Sequence, residues 1–135
     1  AIGTDGAASN NRLDMLSEAR LAALLAKHEN GDAAAGNAPD TLRMATLDGA
    51  RALGLEAVTG SLEPGKAADF ISIDTRQLGL MPMYNPFATV VHGNAGQSVD
   101  NVFINGKQLL KDGEFTQISV PELAQRVHSW HSAPN

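Results

Sequence analysis

Apolar positions along the chain change spacing near its middle. Between residues 13 and 26, Leu13, Leu16, Leu21, Leu24 and Leu25 recur near helical intervals, with Ala19, Ala22, Ala23 and Ala26 between them. The spacing predicts a helix from about Arg12 to Lys27, introduced by the capping side chains of Ser9-Asn10-Asn11 and closed after His28-Glu29-Asn30 by a left-handed Gly31. Residues 32–39 are small and polar and read as a loop or a weak helical turn. Asp40 then caps a predicted second helix over Thr41 to Leu53, with Leu42, Ala45, Ala52 and Leu53 as its core stripe and Gly54 beyond its end. Ahead of both lies a short apolar stub, Ala1-Ile2-Gly3-Thr4, read as one strand running into a turn at Asp5-Gly6.

Past residue 60 the period shortens. Gly60, Pro64 and Gly65 punctuate the approach to Phe70–Ile73, which has strand composition. Met81-Pro82-Met83-Tyr84-Asn85-Pro86 breaks any long element, and 87–91 suits either a short helix or a strand. Val99 to Ile104, Asn105-Gly106 and Lys107 to Leu110 spell a hairpin, with a further turn at Asp112-Gly113. Ser119-Val120-Pro121-Glu122 reads as a capping box opening a closing helix whose Leu123, Val127 and Trp130 share a face, before a fraying tail at 132–135. The pattern gives an α/β chain in two parts, 1–59 and 60–135, with no internal repeat. Its three strands at most make a thin sheet unless another segment or chain completes it.

Composition narrows the partners. The 135 residues carry 10 Lys+Arg against 15 Asp+Glu, a net charge of −5, with no run of basic residues, so nucleic acid and anionic membranes are not expected partners. Without cysteine there is no disulfide, thiolate zinc site or thiol nucleophile. No apolar run approaches the ~20 residues of a membrane span, and the expectation is a cytoplasmic protein. The opening without Met or leader reads as a cut edge.

Few residues offer chemistry. Asp5, between Gly3 and Gly6, is placed to cap a turn or the following helix, while the glycines also permit close approach to a ligand. Ser9 and Asn10 suit either bracing of the Asp5 loop or helix capping. His128 and His131 lie three apart on the closing helix, a spacing that suits metal chelation or two solvated imidazoles near a helix end; His28 also sits at a helix end, and His92 at a loop or core edge. Gly65-Lys66-Ala67 lacks the spacing of a phosphate loop. Met81 and Met83 are expected to pack.

Three motifs in order resemble one family across nearly the whole chain. Gly3-Thr4-Asp5-Gly6-Ala7-Ala8-Ser9-Asn10-Asn11, followed by Leu13-Asp14-Met15, is similar to the last barrel strand and loop of metal-dependent amidohydrolases, in the branch of 5-methylthioadenosine/S-adenosylhomocysteine deaminases and triazine chlorohydrolases. Ala45-Thr46-Leu47-Asp48-Gly49-Ala50-Arg51-Ala52-Leu53-Gly54-Leu55 with Gly60 to Phe70 resembles the passage from barrel to β-sandwich, and Val99 to Lys107 resembles the terminal sandwich hairpin. The resemblance implies a C-terminal piece of a TIM barrel, its last strand plus helices, followed by part of a small β-sandwich.

It also implies a role for Asp5 as a catalytic residue and as the metal-ligating aspartate at the end of the last barrel strand. The cofactor of the parent enzyme would be zinc or another divalent metal, and the substrate a small nitrogen heterocycle losing ammonia or chloride. The family's His-x-His ligand pair is absent, and so are the other barrel strands. The piece alone is therefore expected to bind no metal and to be inactive. The alternative is a stand-alone, non-catalytic, self-associating module derived from such an enzyme. Under either, the apolar surface left by missing barrel partners predicts a homo-oligomer.

Overall fold

A computed structural model describes residues 1–93 and 95–131. The first helix, α1, runs Met15–Asn30. It starts later than the leucine spacing predicts because its cap is Asp14, not the Ser9-Asn10-Asn11 run: Asp14 Oδ1 accepts from the backbone N–H groups of Leu16 and Ser17, both at 3.1 Å. Gly31 ends it at φ 59°, as expected. The buried stripe is alanine, Ala19 and Ala23, while Leu21, Leu24 and Leu25 stay about half exposed.

The predicted second helix is two helices, α2 (Ala38–Ala45) and α3 (Leu47–Ala52). Asn37, not Asp40, is the cap; its side chain accepts from the Asp40 N–H. The break falls at Thr46, φ −125° and ψ −97°, whose hydroxyl donates to Leu42 O at 2.7 Å. That local bond competes with the helix ladder. Leu53, expected in the core stripe, is 75% exposed, and Leu42 alone of the four packs on the central cluster.

The 86–92 stretch resolves as a helix, α4 (Pro86–His92), with Asn85 accepting from the Ala88 N–H at its start. It returns to lie against α1 and α2. Val91, fully buried, joins Ala23 and Ala38 in the core cluster, flanked by Leu42 and Ala88. Met81 and Met83 do not pack as expected: the buried residue of that stretch is Leu80, and both methionines are exposed on the irregular run that follows it.

The sheet is antiparallel, ordered β1-β2-β3-β4, with β1 Phe70–Ile73, β2 Val99–Ile104, β3 Lys107–Lys111 and β4 Glu114–Phe115. It therefore has one strand more than the spacing predicts. Asn105-Gly106 (φ 50° and 74°) and Asp112-Gly113 (φ 51° and 81°) both take the doubly left-handed turn that joins two strands tightly. Phe70 and Phe103 stack at 4.5 Å across β1 and β2. The opening stub carries no strand ladder, since residues 1–6 meet no pairing strand among the described residues. The closing helix, α5 (Val120–His131), forms as predicted, and its described residues lie exposed. No helix among the described residues is long and apolar enough to cross a membrane.

Directly after β1, Asp74 accepts from the Arg76 backbone N–H and from its guanidinium Nε at 2.8 Å. The guanidinium bond is the main reason its pKa falls from 3.8 to about 2. A depressed carboxylate pKa adds stability that is complete above the unfolded value and disappears as pH falls through the folded one. Asp74→Asn should therefore flatten the acid-side decline of the melting temperature between roughly pH 4 and pH 2, a window read from that linkage. An unchanged acid slope would refute the assignment.

Candidate functional site

Asp5 stands at φ 60°, a left-handed position that aspartate tolerates because its short side chain bonds locally. Its Oδ1 accepts from the Gly6 N–H at 2.7 Å, and the side chain is exposed. The loop around it is tied down by Asn10, whose Nδ2 donates to Thr4 O at 2.9 Å and to Glu18 Oε1 at 2.8 Å. Asn10 Oδ1 accepts from the Arg12 N–H. Of the two readings of Asn10, bracing is therefore the one realised. Ser9 contributes through its backbone, its N–H donating to Gly6 O.

As a metal ligand, Asp5 offers one hard oxygen donor. No group of three or more His, Cys, Asp or Glu side chains suited to a metal occurs among the described residues. Structural zinc takes four ligands and catalytic zinc three from the protein, so this donor set fits as one member of a site and not as a site.

Two concavities lie elsewhere, and Asp5 lines neither. The larger, ≈ 680 Å³, is an apolar groove between Ala45 of α2, Ala50 of α3 and Leu53 just past its end, the 55–62 loop, Phe70 and Ile71 of β1, and Ala1 and Ile2 of the opening stub. Its walls are tied by Leu55 N–H donating to Ala50 O and Ala67 N–H to Val58 O. Asp69 clamps one rim, accepting from the Asn105 N–H at 2.6 Å and from the Thr59 hydroxyl at 2.7 Å. Those two bonds, the backbone one first, hold its pKa below the usual carboxylate value. Gly60 closes the loop onto α3 at φ 90°.

The smaller cavity, ≈ 290 Å³, is polar and lies at the start of α1, lined by Arg12, Asp14, Ser17, Arg20 and His92. Asp14 is the hub, accepting from the Ser17 hydroxyl at 2.6 Å and from Arg12 at 3.2 Å. The Ser17 hydroxyl is the main reason its pKa is lowered. Reading the sequence for ligands missed this cluster; the available signal was Asp14 three residues before Ser17, obscured by the leucine spacing that pulled the helix start back to Arg12.

His28 ends α1 in solvent and His92 is half-buried at the end of α4. His128 lies on α5, and the side chain of His131 falls outside the described residues, so their pairing is not described. Lys66 donates to the Ser61 hydroxyl at 2.7 Å and lies 3.5 Å from Glu63, a structural tie with no phosphate cradle.

Comparison with known proteins adds the context. The amidohydrolase family matches residues 1–109. A 5-methylthioadenosine/S-adenosylhomocysteine deaminase of Teredinibacter turnerae is 49% identical over 130 residues, which is 96% of this chain and 29% of that protein. Among solved structures, an adenosine deaminase from Xanthomonas campestris with bound zinc superimposes with a TM-score of 0.92 at 43% identity, over 97% of this chain and 30% of that one. A zinc-complexed atrazine chlorohydrolase from Arthrobacter aurescens matches with a TM-score of 0.80 at 26% identity, over 92% of this chain and 28% of its own. The chain thus spans about 30% of the length of the relatives it matches.

Proposed function

The chain belongs to the amidohydrolase family, a family of metal-dependent TIM-barrel hydrolases, and from that premise we propose that it is the C-terminal part of an enzyme hydrolysing a C–N or C–Cl bond of a nitrogen heterocycle. Residues 1–59 would end the barrel and residues 60–135 would contribute to a β-sandwich. A deaminase is the favoured activity, because the 49% identical Teredinibacter relative carries that name. The observation that carries the site is Asp5, fixed in a left-handed loop by Asn10 and joined to the rest of the fold through Glu18.

Asp5 would give one carboxylate oxygen to a divalent metal, with the remaining ligands supplied from outside this chain. The metal, when bound, supplies a water acidic enough to be hydroxide near neutral pH. Asp5 would accept the proton of the attacking water on the oxygen that Gly6 leaves free, and return it to the leaving amine. Asn10 would hold the backbone leading into Asp5 through Thr4 O, while the Gly6 N–H orients the carboxylate itself. Alone, the chain would be inactive and metal-free, one carboxylate being too few ligands.

The test is a chimaera in which this chain replaces the matching 130-residue stretch of the Teredinibacter deaminase. It should retain zinc and deaminate 5-methylthioadenosine. A folded, zinc-loaded chimaera without that activity would overturn the reading.

A second reading, a stand-alone module that self-associates without catalysis, is favoured by one observation. Leu21, Leu24 and Leu25 of α1 are 51%, 46% and 51% exposed on one helix. Patches of that kind mark contact surfaces. The isolated chain should sediment as an oligomer at tens of micromolar, and Leu21→Glu with Leu25→Glu should return it to a monomer. A monomeric native chain at that concentration would exclude self-association.

A further inference from the structure

α5 buries none of its described residues: 120–130 all lie exposed. Its start is capped by Ser119, whose hydroxyl oxygen accepts from the Glu122 N–H at 3.4 Å and whose carbonyl accepts from the Leu123 N–H at 2.9 Å. A helix of 12 residues is marginal in water without a partner on its apolar face. That face is well defined. Val120, Leu123, Val127 and Trp130 are 55%, 48%, 52% and 71% exposed, and at 3.6 residues per turn they fall within an arc of about 80°. Glu122 and Arg126, one turn apart, share one flank of the stripe.

We propose that α5 pairs antiparallel with α5 of a second copy of this chain. The apolar spacing is symmetric about Gln125: Val120 and Trp130 stand equally far to either side of it, and so do Leu123 and Val127. A two-fold axis at that level sets Val120 opposite Trp130 and Leu123 opposite Val127, so every layer joins a valine to a larger side chain. Helices running the same way would stack valine on valine and tryptophan on tryptophan, leaving layers of unequal width.

Charge selects the same arrangement. In the antiparallel pair the Glu122–Arg126 flanks of the two copies meet, and each Arg126 falls between Glu122 of its own helix and Glu122 of the other copy. In a parallel pair that flank would face Ala124 instead. The whole chain carries −5, yet α5 carries one Glu and one Arg, so with neutral histidines two copies approach here without the repulsion they meet elsewhere. One helix pair buries less than the ~800 Å² per partner of a standard interface, which sets the dissociation constant on the order of hundreds of micromolar.

The test separates α5 from the leucines of α1 by working in the Leu21→Glu, Leu25→Glu chain. Sedimentation equilibrium should give a monomer at tens of micromolar and mostly dimer at ~1 mM. Arg126→Glu alone and Glu122→Arg alone each bring four like charges together and should weaken dimerisation at least ~10-fold, while an equimolar mixture of the two should pair again. Both positions are exposed, and circular dichroism checks that the helix is kept. Because the chain has no cysteine, single cysteines report the direction of pairing. Ala124→Cys, beside the axis, should be joined between copies by a short bis-maleimide. Val120→Cys should not, since its two copies would lie about 15 Å apart along the helices. A monomer at ~1 mM, charge variants that dimerise like their parent, a mixture that pairs no better than its components, or a Val120→Cys link would each overturn the proposal. So would an Ala124→Cys link that forms in the isolated chain but not in the Teredinibacter chimaera at equal concentration, which would assign the stripe to another part of the enzyme.

Discussion

In the chimaera, Asp5→Asn should lower kcat by at least ~10³-fold, the combined loss of a charged metal ligand and a proton acceptor. Asparagine keeps the shape and an oxygen toward the same space, and its carbonyl still accepts the Gly6 N–H that Asp5 accepts at 2.7 Å. It carries no charge for a cation, and its carbonyl cannot take up the proton of an attacking water near neutral pH. Asn10→Ala separates positioning from chemistry. It removes the bonds to Thr4 O and Glu18 while leaving the carboxylate, and should reduce kcat by roughly 10- to 100-fold, as outer-shell partners of ligands do. Steady-state kinetics with zinc content measured on the same samples checks both. An Asp5→Asn chimaera within threefold of its parent would remove Asp5 from the reaction.

The largest loss of stability is expected at Gly60→Ala. At φ 90° any side chain is strained, and a Cβ there would lie 2.7 Å from Ala50 Cβ and 3.0 Å from Leu47 Cα. Ala50 is buried and Leu47 Cα is backbone, so neither yields cheaply. Backbone strain and overpacking together should remove ~2–4 kcal/mol, lowering the melting temperature of a chain this size by roughly 10 °C. Gly65→Ala is the control, with φ 91° but nothing within 4 Å of the new atom. Its smaller loss, ~1–2 kcal/mol, measures the strain alone. Equal losses at the two sites would show that the packing of the 55–62 loop on α3 contributes nothing.

Local chemistry was legible wherever neighbours in the chain decide the outcome. Asn105-Gly106 announced its turn, Phe70–Ile73 its strand, and Gly31 the end of α1, because each depends on backbone preferences of two to four residues. What tertiary contact decides was not legible. The leucines of α1 carry the obvious periodicity, yet the narrower alanine stripe faces α2 and α4, since close helix approach wants small residues. The break at Thr46 turns on one hydroxyl bonding to Leu42 O, against an otherwise continuous helical pattern. β4 is two residues long, too short for any period to register. At the site, the motif singled out Asp5 and left Asn10 between two roles; the bonds to Thr4 and Glu18 depend on how α1 starts, which Asp14 governs.

The return of α4 onto α1 and α2 has a consequence for how the molecule comes apart. Val91 follows β1 in the chain, yet it is fully buried between helices that precede β1. Pulling the later half away would uncover that valine and leave a hole beside Ala23 and Ala38. Helices and strands are thus stitched into a single melting event, and neither portion has an interior of its own to fall back on.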